Sequence, residues 1–244
     1  MQNMYSEKIR VAIGNSDSTL HLSLPAAMTC FMDIATLHAQ NLGIGFDSMQ
    51  KNNMVWITTK TMVDLYRAPG FLKEVEASTW VEGQKNGRSY RDYAIRDGEG
   101  NLLIAGKTEW TALDTLKRTP VPADNIMPQD MEKHEEVCKN DFRMIDHDFS
   151  DSEALGTYTV RSIDVDFIGH MNNISYVRAF LGCLSSKEMK EHPIRHFEIS
   201  YVSQCFEGNT LEFRIRRNGS EAEVCGFNMD NGNKPAVFIC FSGV

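Results

Sequence analysis

The sequence predicts an α+β protein of two tandem domains, each a long helix wrapped by an antiparallel sheet. Three observations carry this reading. The first half reads as a strand, a long helix and a meander of strands, and the second half repeats that order. Between the halves lies a stretch rich in proline and charge and poor in apolar residues. A chain of 244 residues has the length of one large domain or of two of about 120 residues each. The repeat selects two.

Residues 5–13 alternate in the manner of a strand, and Asn15, Ser16, Asp17 and Ser18 follow as a turn. From Pro25, a permitted first-turn residue, apolar side chains recur at helical spacing as far as Gly43. Met28, Phe31 and Met32 of this helix read as core, and His21 and His38 as structural. After a polar loop over 48–53, strands are expected over 54–65, 74–82, 89–96 and 102–113. Lys85-Asn86-Gly87 and Asp97-Gly98-Glu99-Gly100 mark the turns between them, with glycine supplying positive φ.

The segment 114–150 holds Pro120, Pro122 and Pro128 and reads as an exposed linker with room for one short helix. In the second half a strand is expected over 160–164, a helix from Ile174 to about Met189, and strands over 195–202, 210–217, 222–228 and 236–242. The expected boundaries are an N-terminal domain over 1–118, a linker over 119–150 and a C-terminal domain over 151–244. Setting Asp17 against Asp166 places His21 against His170 and starts both helices at equivalent points.

Composition narrows the function. The apolar content of 42% is evenly spread, and no apolar run approaches the roughly 20 residues needed to span a bilayer. The opening MQNMYSEKIR carries no signal-peptide core. These features predict a cytoplasmic protein with no membrane partner. The six cysteines are scattered, without a C-x-x-C pair or a Cys/His grouping, so reduced thiols, no metal and no cofactor are expected. A net charge of -8 argues against nucleic acid as a partner.

The chemistry concentrates in residues 161–178, RSIDVDFIGHMNNISYVR. Alternation over Ile163 and Val165 gives way to Asp166, a turn at Gly169, then His170 and the pair Asn172 and Asn173. Ile174, Tyr176, Val177, Phe180 and Leu181 then follow a helical face. Asparagine caps helices, and the first amides of a helix, with the positive end of its dipole, suit a developing oxyanion. A carboxylate, an imidazole and amides therefore meet at one strand-to-helix junction.

The string Asp166-x-x-Gly169-His170-x-Asn172-Asn173-x-x-Tyr176 resembles the signature of hot-dog-fold thioesterases, and Asp164-Val165-Asp166 resembles the acyl-acyl-carrier-protein thioesterase branch. Trp56, Pro69, Thr79-Trp80, Arg91-Asp92, Trp110 and Arg118-Thr119-Pro120 are similar to that family in the first half. The resemblance implies two hot-dog domains in one chain, forming a monomeric pseudo-dimer or a homodimer. The N-terminal domain would take the acyl chain, and the C-terminal domain would carry the catalytic site.

The same resemblance implies fatty acid biosynthesis: hydrolysis of fatty acyl-acyl carrier protein to free fatty acid. A coenzyme A thioester as substrate, or an acyl-binding protein without catalysis, are the alternatives. The family's aspartate and histidine fall on Asp166 and His170. Its asparagine falls on Ile168, and its later glutamate falls on Gln204, beside Cys205. Asp166 would activate water or attack directly, His170 would orient the carbonyl or the aspartate, and Gln204 would orient water. The amides of Gly169, Met171, Asn172 and Asn173 are the expected oxyanion donors. An acidic carrier protein would need a basic patch, for which Arg88, Arg91, Arg178 and Arg195 are among the candidates.

Overall fold

The computed structural model describes residues 2–243. The chain divides into two compact units, Met1–Asn140 and Asp141–Val244. Unit 1 contains β1 (Tyr5–Arg10), α1 (Leu24–Asn41), α2 (Phe46–Lys51), β2 (Met54–Leu65), β3 (Glu74–Lys85), β4 (Arg88–Arg96), β5 (Leu102–Asp114) and the short β6 (Thr119–Val121). Unit 2 contains β7 (Glu153–Thr159), α3 (Asn173–Gly182), α4 (Ser186–Glu191), β8 (Ile194–Tyr201), β9 (Thr210–Asn218), β10 (Glu221–Asn228) and β11 (Lys234–Gly243).

Both units use one antiparallel strand order. In unit 1 it is β1-β3-β4-β5-β2, with β6 added to the end of β5. In unit 2 it is β7-β9-β10-β11-β8. Numbered within each unit, both sheets read first-third-fourth-fifth-second. The α+β class and the internal repeat are therefore present in the structure.

The α1 helix starts because Ser23 Oγ accepts from the Ala26 amide at 3.3 Å and Pro25 sits in the first turn. Its buried residues Leu24, Ala27, Met28, Phe31, Ile34, Ala35 and His38 recur three and four apart. Met28 and Phe31 join the core as expected, while Met32 is only half-buried. Phe31 stacks on Tyr93 of β4, 4.6 Å between centroids. A Cβ at Gly106 of β5 would lie 2.3 Å from the Phe31 ring, so the helix approaches the sheet this closely only over a glycine. In unit 2, Phe180 of α3 meets Phe197, Phe213 and Phe241 of the sheet at 6.2, 6.3 and 5.3 Å.

Several elements depart from the sequence reading. The first strand of unit 2 is Glu153–Thr159, and residues Ser162–Asp164 form a 3-10 turn. The alternation over Ile163 and Val165 belongs to this turn: Asp164 Oδ2 accepts from the Arg161 amide at 2.9 Å and from Tyr158 Oη at 2.8 Å, and Ile163 is 86% exposed. The helix expected from Ile174 to about Met189 ends at Gly182. A second helix then starts at a capping box in which Ser185 Oγ takes the Glu188 amide and Glu188 Oε2 takes the Ser185 amide. The polar loop before β2 contains the short α2.

The expected exposed linker is an anchored strap. It carries a 3-10 turn at Ala123–Asn125 and no α-helix among its described residues. Its hydrogen bonds go to each sheet in turn. In unit 1, Asn3 Nδ2 donates to Glu132 O, the Val137 amide donates to Asp92 Oδ2 at 2.9 Å, and Cys138 is fully buried beside Asp64. Lys107, almost wholly buried, pairs with Glu82 of β3 at 3.0 Å and Glu136 of the strap at 3.5 Å. In unit 2, the Arg143 amide donates to Glu198 Oε2, Phe149 packs on Phe238, and Arg216 donates to the carbonyls of Asp146 and Asp148.

Candidate active site

The run from Asp164 to Asn173 is held by backbone bonds that follow from its sequence. Val165 and Met171 bridge as a minimal antiparallel pair, and the Asp166 amide donates to His170 O at 2.8 Å. The turn they enclose needs a left-handed residue, which is Gly169 at φ +91°. Asp166 Oδ1 accepts from the amides of Ile168 at 2.9 Å and His170 at 3.2 Å. The carboxylate is thus fixed by its own turn, and Oδ2 makes no hydrogen bond among the described residues.

The His170 and Phe206 rings meet in a T-shaped pair, 5.1 Å between centroids at 81°. The next residue ties the turn to the segment after β8, because the Met171 amide donates to Cys205 O at 2.8 Å. Asn172 then caps α3, its Oδ1 accepting from the Ile174 amide at 2.8 Å.

The expected oxyanion donors divide. The amides of Gly169, Met171 and Asn172 already donate to Asp166 O, Cys205 O and Asp164 O. They are committed to the turn. The Asn173 amide, at the first position of α3, has no acceptor among the described residues and points the choice to one donor.

Cys205 is fully buried, burial pushes its thiol pKa up, and Asn228 Nδ2 donates to its sulfur at 3.4 Å. It is a packed, protonated thiol rather than a nucleophile. Its neighbour Gln204 is exposed, and its side chain makes no hydrogen bond among the described residues. Ile168 is half exposed, and its side chain offers no polar atom to Asp166. Among the described residues no group of three or more His, Cys, Asp or Glu side chains could hold a metal ion.

Two residues, Phe206 and Asn228, escaped the sequence reading, and a third, Tyr176, entered it as a signature position without a role. Phe206 is the partner of the His170 ring, but an exposed aromatic after a strand gives no local signal. Tyr176 looks like one more apolar position of α3; its hydroxyl accepts from the Cys205 amide at 3.0 Å and donates to Ser203 O at 3.4 Å, pinning the segment that carries Gln204. Asn228 is buried and holds both Cys205 and Asn209, contacts that no spacing announces. One proposed docking residue also moves: Arg91 is buried inside unit 1.

Unit 1 repeats this turn bond for bond. The Asp17 amide donates to His21 O at 2.8 Å, Asp17 Oδ1 accepts from the amides of Thr19 and His21, and Leu20 takes the left-handed position at φ 60°. One difference is chemical. Thr19, at the place of Ile168, donates to Asp17 Oδ1 at 2.7 Å and lies 3.0 Å from His21 Nδ1.

Fold and turn together define a class: an α+β protein built twice from a helix wrapped by an antiparallel sheet, with an Asp/His turn at each helix entrance. Residues 2–129 match the model of the acyl-ACP thioesterase N-terminal domain, and residues 147–236 match that of the acyl-ACP thioesterase C-terminal domain. The chain belongs to the acyl-ACP thioesterase family, whose fold is the double hot dog.

It is 26% identical over 224 residues to a chloroplastic dodecanoyl-[acyl-carrier-protein] hydrolase of Cinnamomum camphora, covering 83% of this chain and 56% of that protein. The chain thus spans about half the length of the curated relatives it matches. Among solved structures it is similar to an acyl-ACP thioesterase from Bacteroides thetaiotaomicron, with a TM-score of 0.87, 19% identity and coverage of 99% and 98% of the two chains. It is also similar to the 12:0-ACP thioesterase from Umbellularia californica, with a TM-score of 0.80, 18% identity and coverage of 99% and 97%.

Proposed function

We propose that this protein hydrolyses the thioester of a fatty acyl-acyl carrier protein, releasing free fatty acid and the carrier's thiol. The observation that carries this reading is the Asp166 carboxylate: one oxygen is fixed by two amides and the other is left uncommitted, at the helix entrance of a family whose members hydrolyse this bond. In the step we infer, Asp166 Oδ2 takes a proton from water as the water oxygen attacks the thioester carbonyl. Direct attack by Asp166, followed by hydrolysis of the anhydride, is the other route open to the same oxygen.

The Asn173 amide and the α3 dipole would steady the oxyanion. As the C–S bond breaks, the thiolate leaves and takes up a proton. His170 orients the carbonyl or the aspartate, and Gln204, on the segment that the Tyr176 hydroxyl pins, orients water. Thiolate is a good leaving group, so the reaction asks for little more. We place the enzyme in the cytoplasm, a reading supported by six cysteines that remain unpaired.

Free-thiol release from acyl carrier protein and coenzyme A thioesters of matched chain length tests the reading. Faster turnover of the carrier-protein form, weakening as salt rises, is expected. Coenzyme A thioesters turned over equally fast at all salt concentrations would shift the substrate to the small carrier.

Ile168 and Gln204 favour one second reading, an acyl-binding protein that has lost catalysis, since Ile168 lacks the side-chain amide and Gln204 the carboxylate that the family resemblance implies. In that case binding without product release is expected, and the double substitution Ile168→Asn with Gln204→Glu raises turnover.

A further inference from the structure

The proposed hydrolysis uses the turn at Asp166 and leaves its copy in unit 1, from Asp17 to His21, without a role. The copy keeps the same reactive groups. Asp17 Oδ1 accepts from the Thr19 and His21 amides at 2.8 and 3.2 Å, and Oδ2 makes no hydrogen bond among the described residues. The Leu24 amide, at the first position of α1, likewise finds no acceptor among the described residues. Asp17, Thr19 and His21 are all exposed.

The middle residue sets the two turns apart. Thr19 Oγ1 lies 2.7 Å from Asp17 Oδ1 and 3.0 Å from His21 Nδ1. An ionised carboxylate only accepts, so the hydroxyl donates to Asp17 and Nδ1–H must donate to the hydroxyl. Nε2 is therefore the bare nitrogen, an acceptor with no partner among the described residues. Gly70 leaves it clear, since even an added Cβ there would stand 4.0 Å away. The chain from His21 through Thr19 to Asp17 orients the ring and steadies the imidazolium that forms when Nε2 takes a proton. In unit 2 Ile168 breaks that chain, and the His170 ring makes no hydrogen bond to Asp166 among the described residues.

We propose that unit 1 carries a second hydrolytic site, for acyl thioesters, with His21 as its general base and Asp17 and Thr19 as positioning residues. His21 Nε2 takes a proton from water as the water oxygen bonds to the carbonyl carbon, and the Leu24 amide donates to the oxyanion. The C–S bond then breaks, the thiolate takes the proton back from the imidazolium, and a carboxylic acid and a thiol leave. No further acid stands in the turn to protonate a poorer leaving group, so a thioester suits it better than an amide or an alkyl ester. Its acyl part is apolar, because Ile13, Leu20, Phe71 and Leu72 stand exposed on the turn and on the segments hydrogen-bonded to it. The site is independent of Asp166.

Thiol release from octanoyl-N-acetylcysteamine by the full chain tests it, with Asp166→Asn as the background that lacks the unit 2 carboxylate. That variant is expected to keep a measurable residual turnover, and His21→Gln added to it is expected to lower the residue of activity about tenfold or more. Thr19→Val in the same background should reduce kcat several-fold at near-constant KM, whereas Thr19→Ser, which keeps the hydroxyl, should retain it. The altered side chains are exposed, so Tm should stay near that of the background. No turnover in Asp166→Asn, or a residual turnover that His21→Gln and Thr19→Val leave unchanged, overturns the proposal. Full activity in Asp166→Asn that His21→Gln removes supports this site and sinks the role given to Asp166, so the two assignments fail separately.

Discussion

At the scale of residues, the Asp166 turn is a device for holding one carboxylate oxygen still while leaving the other open. Asp166 Oδ1 is occupied by two amides, and that arrangement requires the left-handed backbone of Gly169. The Cβ of an alanine at 169 would meet open space, so Gly169→Ala tests backbone strain alone. A side chain in the left-handed region costs about 1–2 kcal/mol. Denaturant unfolding should show that loss in the variant, together with reduced turnover as the Asp166 carboxylate shifts. A variant as stable and active as wild type would mean the turn tolerates another geometry. The sequence exposed Asp166, Gly169, His170 and the Asn pair because their spacing is local. It could not show which amides the turn consumes, because Cys205 O arrives from a distant segment.

At the scale of elements, two connections outside regular structure do the positioning. The Tyr176 hydroxyl ties α3 to the segment carrying Gln204 and Cys205. Tyr176→Phe leaves the Cys205 amide buried without its acceptor, which costs about 1–3 kcal/mol. Faster amide exchange at Cys205 and a lower denaturation midpoint are expected; unchanged exchange there would show the hydroxyl to be dispensable.

The strap gives a pH-dependent counterpart in unit 1. Burial pushes the Asp92 carboxyl, which accepts from the Val137 amide, up to about 7, against about 3.9 in an unfolded chain. The folded state therefore binds this proton more tightly. Its stabilising effect is complete below the unfolded value and is lost as pH rises through about 7. Asp92→Asn keeps an acceptor for Val137 and removes the titration. Between about pH 5 and about pH 8 the wild-type denaturation midpoint should fall relative to that variant's, and parallel curves would remove Asp92 from the effect.

At the scale of the whole molecule, the sequence disclosed what repeats and concealed what does not. Strand β2 was legible to the residue, Met54–Leu65, because a long alternating run is bounded by Asn53 and the Arg67-Pro69-Gly70 break. The two-fold layout was legible because Asp17 and Asp166 precede matching helices, and the strand orders agree. The strap was not. Its few apolar residues, among them Met127 and Phe149, are buried against residues far away in sequence, so no periodicity reports them. Strand β7 and the break before α4 were missed because a 3-10 turn mimics alternation and the helical spacing runs on through Gly182, although Ser185 and Glu188 carry a legible cap.

The most direct test of the central assignment is the turnover of fatty acyl-acyl carrier protein by Asp166→Asn, measured as free-thiol release. The substitution leaves an oxygen to accept the Ile168 and His170 amides, so the turn and the Tm should persist while the base or nucleophile is gone. A fall in kcat of roughly 10²- to 10⁴-fold at near-constant Tm is expected. Wild-type turnover in the folded variant would contradict the account and move the chemistry away from this turn.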